Sequence, residues 1–183
     1  MAGVLRGVLA AILLVPAGVW AQDEPVRTVA SVDLDRYLGE WYEIARFPNR
    51  FQEDCVSDVR ATYAKREDGR LDVRNRCRGE GGEVIDAEGV ARRADDESTA
   101  KLKVRFAPAF LSFLPWVWGD YWILGLGEEY SWAVVGSPDR KYLWILARTP
   151  SLDPAQLAAA REIAAENGFE VDRLVPTRHT TLN

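Results

Sequence analysis

The sequence places few of the side chains that do covalent or acid–base chemistry where they can cooperate. It contains one histidine, His179, near the end of its 183 residues, and two cysteines, Cys55 and Cys77. A nucleophile needs a base within hydrogen-bond reach, and zinc or copper needs several nitrogen and sulfur donors. These three residues assemble neither set, so no metal and no cofactor is expected. His179 reads as a solvated tail residue. The two cysteines read as one disulfide, with a free catalytic thiol as the weaker alternative because the sole histidine is remote. Glu43 is the carboxylate best placed for a role inside the fold, where it either meets a ligand or pairs with an Arg. The strongest pattern points instead to structure and shape. Gly39-Glu40-Trp41 opens one apolar segment and Arg148 closes another far downstream. An indole covered by a guanidinium plugs the closed end of a small barrel, with a cation–π contact of about 1–2 kcal/mol. Gly39 permits a tight reversal before Trp41, where a Cβ would clash.

The elements that must position these residues follow a processing segment. Arg6, an apolar run from Val8 to Val15, and Val19-Trp20-Ala21 before Gln22 predict a signal peptide over 1–21. The run is too short to span a bilayer. A single domain over 22–183 is expected, exported to the periplasm or beyond. Gln22 rather than Cys follows the cut, so no lipid anchor is expected. Removing 1–21 takes one Arg and no acidic residue, moving the formal charge from −5 to −6. An acidic chain without a basic block is a poor nucleic-acid binder.

From Trp41 onward, short alternating segments recur with turn residues between them. Strands are predicted near 41–47, 56–64, 71–78, 84–93, 100–107, 120–127, 131–136 and 141–148. Eight such strands close into an antiparallel up-and-down barrel with room for one small ligand, an all-β fold. The last three strands are apolar on both faces, so their outer wall needs a cover. A helix supplies it: Asp153 caps it, Pro154 starts it, Gln156 completes a capping box and Gly168 ends it. Leu157, Ala160, Ile163 and Ala164 form its apolar stripe, and Phe169 to Leu174 are expected to return as a short strand. A short polar lead and one helical turn capped by Asp33 precede the barrel.

Alternation also predicts the lining of the cup. Trp41 sets Glu43, Ala45 and Phe47 inward on the first strand. The second and third contribute Val59, Ala61, Tyr63, Val73 and Asn75. The fourth contributes Ala87, Gly89 and Ala91, small enough to leave volume unfilled. Leu102, Val104, Phe106, Tyr121 and Ile123 follow, and Arg148 sets Leu146, Trp144 and Tyr142 inward on the last. The result is an apolar, aromatic cup with a few polar groups, suited to a long hydrophobic molecule. The uncharged stretch 108–118 carries Phe110, Phe113, Leu114, Trp116 and Trp118 at the open end. It folds over the mouth, meets a membrane or a partner copy, or tucks back on its own barrel; aromatic rims suit the membrane interface.

Several stretches together resemble the lipocalin family, in the group of bacterial outer-membrane lipocalins and apolipoprotein D. They are 35–46 around Gly39-Glu40-Trp41-Tyr42, 73–77 around Arg76-Cys77, 119–124, and above all 136–150 from Gly136-Ser137-Pro138 to Arg148-Thr149-Pro150. The family's Thr-Asp-Tyr before the seventh strand reads Glu128-Glu129-Tyr130 here, so only the Tyr is kept. Membrane-bound members begin with a lipidated Cys where this chain has Gln22. The resemblance implies a calyx that binds, transports or stores a fatty acid, lysophospholipid or similar lipid in the cell envelope without catalysis. Its expected partner is that small hydrophobic ligand; contact with a membrane surface or with a second copy of the chain are alternatives that the 108–118 loop opens, and no nucleic acid is expected. The competing readings are an enzyme on the same fold acting on a hydrophobic substrate, and an interaction protein whose calyx is filled by its own side chains.

Overall fold

Strict alternation is clearest in the third strand, where Leu71, Val73 and Cys77 are buried while Asp72, Arg74, Arg76 and Arg78 face water. The same rule, repeated, builds the barrel seen in a computed structural model that describes residues 24–180. Its strands are β1 (Gly39–Arg46), β2 (Ser57–Lys65), β3 (Leu71–Arg78), β4 (Val84–Arg93), β5 (Lys101–Arg105), β6 (Gly119–Leu126), β7 (Trp132–Gly136) and β8 (Leu143–Ala147). Neighbours in sequence pair antiparallel, and β1 pairs with both β2 and β8 to close the ring. The segment 1–21 lies outside the described residues.

Three bulges redirect side chains, because an extra residue on one strand shifts the alternation that follows. In β1 the register moves from Glu43 opposite Leu146 to Ala45 opposite Ile145 and Arg46 opposite Trp144. Ile145 packs outside the barrel and Trp144 inside. Arg46 therefore enters the cup, and Ala45 and Phe47 do not, which corrects the simple alternation. Phe47 is buried on the outer wall, its ring 6.2 Å from Phe169. A second bulge in β6 falls between Ile123 and Gly125; Leu124 stays outward and Leu126, beyond the bulge, turns onto the inner core. The third lies in β2 around Asp58, whose φ is +54°.

Two apolar cores result. The inner one fills the lower barrel with Tyr37, Trp41, Tyr63, Leu102, Ile123 and Val135. The outer one joins Leu124, Val134, Leu143 and Ile145 to Ala160 and Ala164 of a helix, α2 (Pro154–Glu166). Asp153 caps α2 by accepting from the Ala155 amide at 2.8 Å, and Gly168 with φ +78° ends it. Gln156 makes no reciprocal capping bond among the described residues.

The chain ends are more structured than their composition suggests. The lead buries Val26 and Val32, and its Val29 amide donates to the Ile123 carbonyl at 3.0 Å. It runs into the single turn α1 (Leu34–Tyr37), capped by Asp33 as expected. After α2 the chain makes a 3-10 turn over Val171–Arg173, not a strand, and then a two-residue strand β9 (Val175–Pro176) beside the upper half of β1. Cys55 and Cys77 are bonded, with Cα atoms 5.6 Å apart. Cys55 sits in the loop before β2, so the bond ties that loop to β3.

Candidate functional site

Trp41 closes the bottom of the barrel. It is fully buried, its indole N–H donates to the Tyr37 carbonyl at 2.8 Å, and the Tyr37 ring lies 4.7 Å away. The Arg148 guanidinium stands 3.8 Å from the Trp41 ring centroid and donates to the carbonyls of Glu40 and Arg36 at 2.9 and 2.7 Å. Gly39 is needed for its φ of +90°, not for space: a Cβ there would lie at an ordinary 3.5 Å from Arg148. Tyr37 belongs to this plug. Its position four residues before Trp41, on the helical turn, is the signal that would have found it.

Above the plug, exposure separates a filled zone from a hollow one. The inward residues Tyr63, Leu71, Val73, Ala91, Leu102, Ile123 and Leu146 are buried by one another. Higher on the same inner face, Ala61, Asn75, Gly89, Val104, Tyr121 and Trp144 keep part of their surface, and Ala87 and Phe106 are exposed. An inward side chain can show surface only to the lumen, so the barrel is solid below and open above. Val59 is buried beneath the rim. The small residues of β4 do not all leave space: Phe106 lies over Gly89, where a Cβ would come within 2.8 Å of its ring and 2.7 Å of the Arg105 carbonyl.

Three phenols mark the boundary between the zones. The hydroxyls of Tyr37 and Tyr63 each lie 2.8 Å from that of Tyr121. Burial pushes the Tyr63 phenol up to about 12 and raises Tyr37 and Tyr121 as well, so all three remain protonated at neutral pH.

The upper cup holds a second polar cluster. Glu43 is buried, and Arg46, Thr177 and Gln52 donate to its carboxylate at 2.7, 2.5 and 2.6 Å. The Gln52 oxygen in turn accepts from the Trp144 indole and the Asn49 amide, both at 2.9 Å. Glu43 is thus the carboxylate that pairs with an Arg. At the mouth Tyr142 stacks on Trp144 at a centroid spacing of 5.8 Å, and the Phe51 ring lies tilted against Tyr142 at 5.5 Å. Beside them the 47–56 loop forms an open depression of about 500 Å³ lined by Arg46, Pro48, Asn49, Arg50, Gln52 and Glu53. Arg46 was hidden from sequence by the bulge. Gln52 comes from a loop, where no periodicity exists to flag it.

His179 is not a solvated residue. Its side chain is 6% exposed, its Nε2 lies 2.7 Å from the Glu43 carbonyl, and its Nδ1 is 4.0 Å from Asp58. Thr180 donates twice to Asp58, through its amide and its hydroxyl, both at 2.7 Å. The 106–118 loop divides. Phe110, Phe113 and Trp116 are 74%, 76% and 78% exposed, and Leu114 is half-buried. Trp118, expected outward, is buried: its indole donates to the Ser112 carbonyl at 2.8 Å, and Arg92 and Arg105 lie 4.5 and 5.2 Å from its ring. It anchors the loop whose tips are free.

Comparison with known proteins fits this barrel. A family model described as a lipocalin-like domain matches residues 32–179. The chain is 40% identical over 158 residues to temperature-induced lipocalin-1 of Arabidopsis thaliana, covering 85% of this chain and 84% of that one. It is 40% identical over 173 residues to the outer membrane lipoprotein Blc of Citrobacter freundii, covering 94% and 93%. Mouse apolipoprotein D is 29% identical over 153 residues, covering 79% and 76%. Among solved structures, insecticyanin from the tobacco hornworm Manduca sexta superposes with a TM-score of 0.67 at 19% identity, covering 85% of each chain. With the Trp41–Arg148 plug, the closed eight-stranded ring and the matched span agreeing, the chain belongs to the lipocalin family.

Proposed function

We propose that this protein is a non-enzymatic carrier that holds a long-chain amphiphile, a fatty acid or lysophospholipid, in its cup. The observation that supports this most directly is the change from buried to exposed inward residues between Leu102 and Phe106, and between Val73 and Ala87 across the neighbouring strands. An apolar lumen with an open mouth favours a hydrophobic guest by the area it removes from water. The alternative of catalysis on a hydrophobic substrate rests on Glu43, whose carboxylate is already paired. The relatives named above, one of them an outer membrane lipoprotein, support a role in the cell envelope.

The exposed tips of the 106–118 loop supply a route for loading. Phe110, Phe113 and Trp116 stand at the mouth, and each large side chain buried in a membrane interface contributes about 1.5–3 kcal/mol. Three such contacts give weak, reversible attachment that lets a lipid pass into the cup without full solvation. Cleavage before Gln22 would yield a protein without an acyl anchor. The mass of the mature protein from its own host tests that: an acyl-modified N-terminus would place it instead with anchored lipoproteins.

Trp144 lines the cup and reports its occupancy. Titration with hexadecanoic acid should quench tryptophan fluorescence, and Trp144→Ala should weaken binding while leaving the fold intact. Undiminished affinity and quenching in that variant would put the ligand elsewhere. Lipid extraction and mass spectrometry of protein purified from its own host would identify the natural guest.

A further inference from the structure

The two polar clusters inside the cup differ in what they have left to give. At the upper cluster the Glu43 carboxylate has three donors, and Gln52 uses both ends of its amide. Nothing there requires a guest. At the base the count does not close. Tyr37, Tyr63 and Tyr121 carry three hydroxyl protons, and only two oxygen–oxygen contacts join them. Tyr37 is fully buried against Trp41, so its proton goes to Tyr121. One proton is left over, on Tyr121 or Tyr63, at the lower limit of the hollow. Asn75 faces the same space. It lies one inward step above Val73, the cross-strand partner of Tyr63, and its amide makes no hydrogen bond among the described residues.

We infer that the base of this cup selects a guest whose buried end carries a neutral oxygen, a hydroxyl or carbonyl, in preference to a plain alkyl end. This rests on the reading of the cup as an amphiphile site. A methyl terminus pressed onto the base strips water from the spare phenol proton and the Asn75 amide and replaces it with nothing, a penalty that falls on buried polar groups left without partners. A hydroxyl accepts from the phenol and shares a bond with the amide. A carboxylate does not suit the same place. Among the described residues, the inward strand positions at the base carry no Lys or Arg, and the Arg148 guanidinium is engaged with the Trp41 ring and the Glu40 and Arg36 carbonyls, so a desolvated carboxylate there would lack a cation, which is costly. The guest therefore enters oxygen-first at its uncharged end and keeps its charged end at the mouth.

The test compares hexadecanoic acid with 16-hydroxyhexadecanoic acid on the full mature protein, by tryptophan quenching and calorimetry. The terminal hydroxyl is expected to improve affinity by about tenfold, the reverse of its effect in a purely apolar pocket. Asn75→Leu should reduce that preference, whereas Tyr121→Phe, which strands the Tyr37 and Tyr63 hydroxyls without their shared partner, should not reduce it. Equal binding of the two acids to the wild type, or a preference for the plain acid, overturns the inference and leaves the carrier reading intact. Failure of both acids to bind overturns both.

Discussion

The lower and upper halves of the barrel are made from the same strands and obey different rules. Below, β1 follows its alternation, and Trp41 is buried among apolar residues of the neighbouring strands. Above, a bulge sends Arg46 into the lumen, β2 leaves β1, and loop and tail residues supply the contacts. Close packing fixes the lower half, whereas hydrogen bonds and one buried ion pair fix the upper half. The comparison teaches that this calyx has a rigid apolar foundation and a polar collar that is held together by charge.

The sharpest way to break the comparison is at the foundation. Trp41→Ala removes a fully buried ring together with its contact to Arg148, and should cost about 3–5 kcal/mol in denaturant unfolding. A loss below about 1 kcal/mol would show that the closed end is not where stability resides. The collar comes next. Arg46→Met leaves Glu43 buried with no cation, and removing one partner from a buried pair costs about 3–5 kcal/mol at its strongest. Thr177 and Gln52 still donate to Glu43, so a cost toward the lower end is expected, and the double change Arg46→Met with Glu43→Leu should recover most of it. If the double variant is no more stable than the single, the collar is not organised by charge.

A smaller change sharpens the contrast between core and loop. Replacing Phe113, Leu114 and Trp116 by Ser should lower co-sedimentation with liposomes and leave the melting temperature almost unchanged, since Phe113 and Trp116 touch little of the barrel. A variant that sediments normally but melts far lower would make the loop part of the foundation. The smallest effect concerns Asp58. Burial alone would raise its pKa, but hydrogen bonds from Thr180 and the nearby His179 and Arg78 outweigh burial and hold it below its ordinary 3.8. A lowered carboxylate stabilises the fold above its ordinary pKa, and that contribution fades as the pH falls through it. The advantage of wild type over Asp58→Asn should therefore be present at pH 5 and shrink by pH 3. An advantage that grows on acidification would contradict the pairing.

The foundation was legible from sequence because period-two patterning, the Trp41–Arg148 pair and the apolar face beneath α2 are all local or repeated signals. All eight strands lie within a few residues of their predicted places. The collar was not legible for specific reasons. The bulge at Ile44 has no composition cue, so plain alternation points Ala45 and Phe47 inward and gives no sign that Arg46 enters the cup. Gln52 and Thr177 act from irregular segments far apart in sequence. His179 reads as a tail because a two-residue strand leaves no periodic trace. Trp118 shares its composition with the exposed tips, and only the positions of Arg92 and Arg105 separate it from them.

The tail strand has a consequence for anyone who handles this protein. Where β2 peels away from β1, the Thr177 amide donates to the Ile44 carbonyl at 2.9 Å and the Asp58 amide donates to the Arg178 carbonyl at 2.9 Å. The tail is a shim driven into an open seam. Trimming the chain before Val175, or straining that segment with a fused partner, would strip the shim and bare two strand edges at once, and bare edges seek other chains. Residues 175–180 thus keep two strand edges covered that would otherwise be open to pairing.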